Sequence, residues 1–396
     1  GDKKKQYDAI LNFLKDSDLN SDLNISQNKF ELLTKIVENQ LIESSHEEMK
    51  EFLQIVKNIC DNHHRERNFL RKINQILQYF KDQIKNCLTN DDIFEIFESN
   101  KNILLYMINN DILTITESIY KEMMNKLDSN GFRYCYFFYP EIEKFIGEEK
   151  VKDVKQELLS QNSNVFENFD SKRQEGENDS YICSLIRQDS VQEFIAYVNL
   201  NNYPLSNKIE PSIFETNRFL IENKNTTLIE YSAFFGSIQI FQYLLMNKVQ
   251  LTPSLWLYTI HSENAELIHL LETNKVFPPK ITQIKKKEEE DENSNEEDEN
   301  KNDNYLLCLI ESIKCYHNEI AEYIQNNLMN QEEKEKIETI ETIVSNSIKY
   351  HNYSYFQVDA IIEYGFFYFC FNDYNKFIEL LLNAKKDEIE KRIIQR

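Results

Sequence analysis

An apolar cluster of fixed spacing returns five times in the C-terminal half of this chain: Phe194-Ile195-x-Tyr197-Val198, Ile240-Phe241-x-Tyr243-Leu244, Leu267-Ile268-x-Leu270-Leu271, Ile320-Ala321-x-Tyr323-Ile324 and Phe377-Ile378-x-Leu380-Leu381. Positions i, i+1, i+3 and i+4 share one stripe of an α-helix, so each copy predicts a helix that is apolar along one side. Such a helix is stable only when neighbours cover its stripe, which is how repeat proteins are built. Successive copies start 46, 27, 53 and 57 residues apart. The shortest offset holds two short helices and a tight connection, and the longer ones require inserted loops. The expected fold is all-α: an elongated α-solenoid of helix pairs interrupted by insertions.

The scarcity of turn residues points the same way. Six glycines and six prolines in 396 residues are about 1.5% each, against averages of roughly 7% and 5%, too few for a hairpin-rich all-β fold. Hydrophobic residues at 41%, including 26 Phe and 22 Tyr, supply a substantial core. No apolar run approaches the roughly 20 residues of a membrane span, and mean hydropathy is −0.59.

Three regions are expected. Residues 1–130 read as successive amphipathic helices: Tyr7–Leu14, Phe30–Leu41, Met49–Ile59, a long one from about Glu66 to Cys87, and a pair carrying Ile93-Phe94-x-Ile96-Phe97 and Ile103-Leu104-Leu105-x-Met107-Ile108, with Asn90-Asp91-Asp92 as N-cap. Residues 131–180 read as a connector, whose aromatic run Tyr134-Cys135-Tyr136-Phe137-Phe138-Tyr139-Pro140 is expected to be a buried extended plug. Repeats occupy 181–396, broken at about 285–304 by Lys285-Lys286-Lys287 and two acidic blocks, Glu288 to Glu292 and Glu296 to Glu299. That insertion has no apolar surface to bury and is expected to be disordered.

The net charge of −22 disfavours nucleic acid and anionic membranes as partners and favours a basic protein. Seven cysteines without framework spacing, and no apolar stretch near Gly1 to act as a secretory signal, predict mostly buried thiols in a reducing, cytoplasmic setting.

The segment from Thr227 to Leu245 resembles an ankyrin repeat, following the pattern T-P-L-H-x-A-A-x-x-G-x-x-x-[IV]-[IV]-x-x-L-L at Thr227, Ala233, Gly236, Ile240 and Leu244-Leu245. It departs at Leu228, where the family has Pro, and at Glu230, where it has His. The segment from Thr252 to Leu271 is similar but lacks the glycine. With the phrases around Ile186, Pro211 and His317, the C-terminal half looks like the divergent ankyrin-repeat proteins abundant in parasitic protists, which often join a helical N-terminal region to degenerate repeats. Ankyrin arrays are binding scaffolds, so the resemblance implies a non-catalytic adaptor that holds a partner protein on a concave face. A permanent structural part of a cytoskeletal or other large assembly is the alternative.

The resemblance also implies where contacts fall: just after the small pair ending each first helix, at Phe234 and Phe235, His261 and Ser262, Lys314 and Cys315, and at the fingertips Lys248, Val249, Gln250, Asn274 and Lys275. Phe234 and Phe235 read equally as exposed anchors or as core. Trp256, the only tryptophan, reads as packing between repeats.

Catalytic motifs are missing: there is no Gly-rich phosphate loop, no G-x-S-x-G, no H-E-x-x-H and no C-x-x-C. Cys60, His63 and His64 place a thiol and an imidazole on one helical face, but zinc takes four ligands, or three plus water, and no further Cys or His is near in sequence. No enzyme activity, metal or other cofactor is expected. Basic residues at Lys285–Lys287 and around Arg65 are interleaved with acids, which speaks against nucleic-acid binding.

Overall fold

The computed structural model of the protein describes residues 9–10, 13–14, 23–40, 45–62, 67–279, 305–350, 352 and 355. The described residues are overwhelmingly helical and contain no β-strand, only isolated bridges at Leu127–Arg133 and Lys208–Thr227. The all-α class is therefore as expected. The acidic insertion at 285–304 and the motif copy at 377–381 lie outside the described residues, as do His63 and His64. The chain divides into two compact units, one within residues 9–250 and the other from Leu251 onward. That division falls inside the stretch read from the sequence as repeats.

In the first unit, α1 (His46–Asn62) buries Met49, Phe52, Leu53, Val56, Ile59 and Cys60, a helical stripe, and packs on α2 (Asn90–Phe97). The N-cap of α2 is Thr89, one residue before the predicted position. Its hydroxyl accepts the Asp92 N–H while the Asp92 carboxylate accepts the Thr89 N–H, so two otherwise orphaned donors are satisfied reciprocally. Helix α3 (Lys101–Asn109) completes this pair. The long helix expected over 66–87 is two, Arg67–Tyr79 and Lys81–Cys87, parted at Phe80. The aromatic run is buried but not extended: it winds into the short helices Tyr134–Phe137 and Tyr139–Ile142. Helical turns pair its main chain internally, which an isolated buried extended strand could not do.

Helix pairs follow: α4 (Tyr181–Arg187) with α5 (Val191–Leu200), and α6 (Leu228–Phe234) with α7 (Ile238–Met246). The second unit holds α8 (Leu255–Ser262) with α9 (Ala265–Thr273), α10 (Leu306–Lys314) with α11 (Asn318–Tyr323), and then α12 (Ile337–Lys349). In the copies of the motif on α5, α7 and α9 the first and last residues, Phe194 and Val198, Ile240 and Leu244, Leu267 and Leu271, are buried.

One turn geometry recurs in these pairs. Asp189, Gly236, Glu263 and Tyr316 each take a left-handed conformation, at φ of 50°, 65°, 52° and 60°, and each donates its N–H three residues back into its first helix. In three of the turns the next residue donates further: Ser190 to Leu185, Ser237 to Ser232 and His317 to Ser312. This double closure satisfies the last carbonyls of a helix and reverses the chain in very few residues. The second helices end alike, with Asn202, Lys248 and Lys275 left-handed and the following N–H of Tyr203, Val249 and Val276 returning to Val198, Leu244 and Leu271. Only the Gly236 turn uses the residue to which that conformation comes without steric cost. The start of α6 is a capping box between Thr227 and Glu230.

In the first unit α4 packs on α6 and α5 on α7, and in the second unit α8 packs on α10. In the first unit Arg187 donates to the Tyr231 hydroxyl at 3.1 Å, Phe194 meets Tyr243 edge-on, and the Ser237 hydroxyl donates to the Ile186 carbonyl. In the second, His261 bonds Glu311 at 2.8 Å, Tyr323 donates to Glu272, and His317 Nδ1 donates to the Ile260 carbonyl at 2.7 Å. Ser237 and His317 hold the same place in their turns, directly after the left-handed residue. Ile186 and Ile260 likewise hold the same place, three residues before the left-handed residue of the preceding pair.

Candidate functional site

The predicted contact residues divide into surface and interior. Lys248, Gln250, Asn274 and Lys275 are exposed, and Val249, Ser262, Phe235 and Lys314 are half-buried. Phe234 is 0% exposed: its ring stacks on Phe219 at 5.6 Å and meets Phe235 edge-on. It is core, and cannot anchor a partner. The cause is local, because residues at i and i+1 near a helix end point about 100° apart, and only Phe235 faces partly outward. His261 and Cys315 are buried as well. Trp256 is fully buried, and its Nε1 donates to the Val276 carbonyl at 2.6 Å.

Three predicted residues nonetheless converge. His261, Lys314 and Cys315 gather around Glu311, which the sequence reading missed. His261 Nε2 lies 2.8 Å and Lys314 Nζ 3.0 Å from the same Glu311 oxygen, and the Cys315 sulfur is 4.0 Å from it. The available signal was register: His261 and Lys314 occupy equivalent positions two residues before the left-handed turn residue, and equivalent positions of stacked pairs are neighbours.

The electrostatics follow from burial. Desolvation raises the Glu311 carboxyl, but the Lys314 charge and the hydrogen bond from His261 outweigh it and hold it down to about 2. Burial works against the Lys314 ammonium, and the Glu311 charge more than restores it. Burial, reinforced by the charge of Glu311, pushes the Cys315 thiol far above its ordinary range. A nucleophilic cysteine needs the opposite shift. The sulfur also stands 3.6 Å from Nδ1 and 3.7 Å from Nε2 of His261. Near-equal distances to both nitrogens set it against the ring, out of line with either nitrogen's in-plane lone pair, so the pair is not built for proton transfer.

A second polar centre lies in the first unit. Glu215 accepts N–H bonds from Asn217 at 2.8 Å and Asn178 at 3.2 Å beside a small hollow lined by Pro211, Ser212, Thr226 and Tyr231. Burial pushes its carboxyl up to about 7, against the pull of those N–H groups. Sequence reasoning also missed the exposed Leu200 (84%) and Met246 (74%), at matched positions two residues before Asn202 and Lys248. Comparison with known proteins yields no matching family model, curated protein or solved structure.

Proposed function

We propose that this chain is a non-catalytic protein–protein interaction scaffold, an ankyrin-like α-solenoid whose turns and second-helix ends hold a partner protein, with the cytoplasm as its setting. One observation carries the reading: the same left-handed turn closes successive helix pairs at Asp189, Gly236, Glu263 and Tyr316, despite four different residues there. An architecture conserved in its backbone while its side chains vary is that of an array, and arrays present rigid surfaces that lose little entropy on binding. The contact set narrows to side chains that solvent reaches: Phe235, Lys248, Val249, Gln250, Ser262, Asn274, Lys275 and Lys314, joined by Leu200 and Met246. The excess of acidic residues favours a basic partner.

The test is affinity capture with the full chain as bait, comparing it with Leu200→Ser plus Met246→Ser, with Lys248→Ala plus Gln250→Ala, and with Lys121→Ala on an exposed helix elsewhere. The reading expects a captured protein whose recovery falls at least about tenfold in one of the first two variants and is unchanged in the third. Equal recovery from all baits sinks it. Sedimentation separates the alternative, since a permanent assembly component would not run as a monodisperse species.

A further inference from the structure

Helix α10 carries Glu311 and, one turn on, Cys315 just past its end; spacing of i and i+4 places both on one side of that helix. Helix α8 brings His261 against them. Among the described residues this is a group of one nitrogen, one oxygen and one sulfur donor, all within 4.8 Å of one another. We propose that His261, Glu311 and Cys315 form a binding site for a thiophilic divalent cation of the zinc class, pinning the first helices of two successive pairs together.

The separations of the three donors are close to what such an ion needs. A tetrahedral ion with bonds of about 2.0–2.3 Å holds its donors roughly 3.3–3.7 Å apart. Here Nε2 and Oε1 are 2.8 Å apart, Nε2 and Sγ 3.7 Å, and Oε1 and Sγ 4.0 Å. The His261–Glu311 contact has to open from a hydrogen bond by about half an ångström, and the imidazole has to turn so that the Nε2 lone pair, now out of line with the sulfur, faces the ion. Mixed sulfur and imidazole donors select zinc, cobalt or copper over magnesium and calcium. Glu311 is ionised already, whereas the thiol must give up its proton to solvent, one for each ion bound. The carboxylate and the thiolate together then neutralise the dication. Lys314 is the built-in competitor, as its ammonium shares the same Glu311 oxygen. Cys308 on α10, Glu263 beside His317 and Tyr350, whose charge acts on Lys314, are further titratable groups around it.

The experiment is titration of the full chain, stripped with chelator, with Co²⁺, reading the thiolate-to-cobalt charge-transfer absorption, followed by Zn²⁺ competition. One strongly bound Co²⁺ per chain is expected, displaced by Zn²⁺ and not by Mg²⁺, with affinity rising about tenfold per pH unit because one proton is released. Cys315→Ser and His261→Gln abolish the signal, while Cys60→Ser and Cys183→Ser, at buried thiols elsewhere, keep it. Lys314→Met tightens binding about tenfold by removing the competing cation. That gain separates a metal site from a merely structural polar cluster, which Lys314→Met would only weaken. Absence of the charge-transfer absorption at saturating Co²⁺, its persistence in Cys315→Ser, or looser binding in Lys314→Met overturns the proposal.

Discussion

Asp189 is the residue to perturb first, because it serves two ends at once. Its main chain makes the left-handed turn between α4 and α5 at φ 50°. Its carboxylate reaches the next pair, accepting the N–H groups of Gln239 at 3.1 Å and Ile240 at 3.0 Å in the first turn of α7. Those are donors no intrahelical carbonyl can reach, so Asp189 caps a helix about 50 residues away. Losing a helix cap costs about 1–2 kcal/mol, most of it here through Ile240, since Gln239 is exposed and water replaces its bond. Alanine in place of aspartate also meets the left-handed penalty of about 1–2 kcal/mol, which aspartate partly escapes. Asp189→Ala is therefore expected to cost about 2–3 kcal/mol. Asp189→Gly, which loses the cap but takes the conformation freely, costs about 1 kcal/mol. Asp189→Asn, which keeps an acceptor oxygen and tolerates the turn, costs about 0.5 kcal/mol. Urea denaturation followed by circular dichroism gives the order, and amide exchange by mass spectrometry shows whether protection is lost at the start of α7. Equal losses for Ala and Gly would remove the turn from the argument. Asparagine as damaging as alanine would remove the cap.

Phe234→Ala should lower stability by about 3–5 kcal/mol, as truncation of a fully packed ring does; thermal melting showing less than about 1 kcal/mol would mean the ring is not core. Lys248→Gly relieves a left-handed lysine on the surface and should stabilise by about 0.5 kcal/mol, the steric gain less the entropy of glycine; a loss of stability refutes the turn geometry. For Glu215, whose carboxyl is raised to about 7 from an ordinary 4.5, the folded state holds its proton more tightly than the unfolded. The resulting stability is present in full below about pH 4.5 and is lost as pH rises through 7, on the order of 3 kcal/mol across that window. Glu215→Gln should flatten this part of the stability profile, and an unchanged profile in pH-dependent urea melts would contradict the burial.

Helix type and apolar stripes were legible because periodicity is written in one segment at a time: Phe194 and Val198 or Ile240 and Leu244 declare their buried side without knowledge of what covers it. Capping was legible in part. Thr227 and Glu230 are three residues apart and satisfy each other, while the cap of α7 comes from Asp189 and no local pattern announces it. The site was least legible for the same reason. His261 and Cys315 were singled out as contact positions from their place in the turn, yet that place also makes them neighbours where α8 packs on α10, and both are buried. Glu311 entered no expectation because, inside α10, it looks like one more surface acid until His261 and Lys314 are set against it.

In two of the turns, those at Gly236 and Tyr316, the joint to the pair before ends on a main-chain carbonyl, that of Ile186 or of Ile260. A carbonyl is present whatever the residue, so any side chain able to offer a hydrogen at that spot makes the link, and serine and histidine are both in use. Mutation can therefore replace one half of the fastening repeatedly without touching the other. At these two turns the letters can change widely while the helices they fasten keep their places.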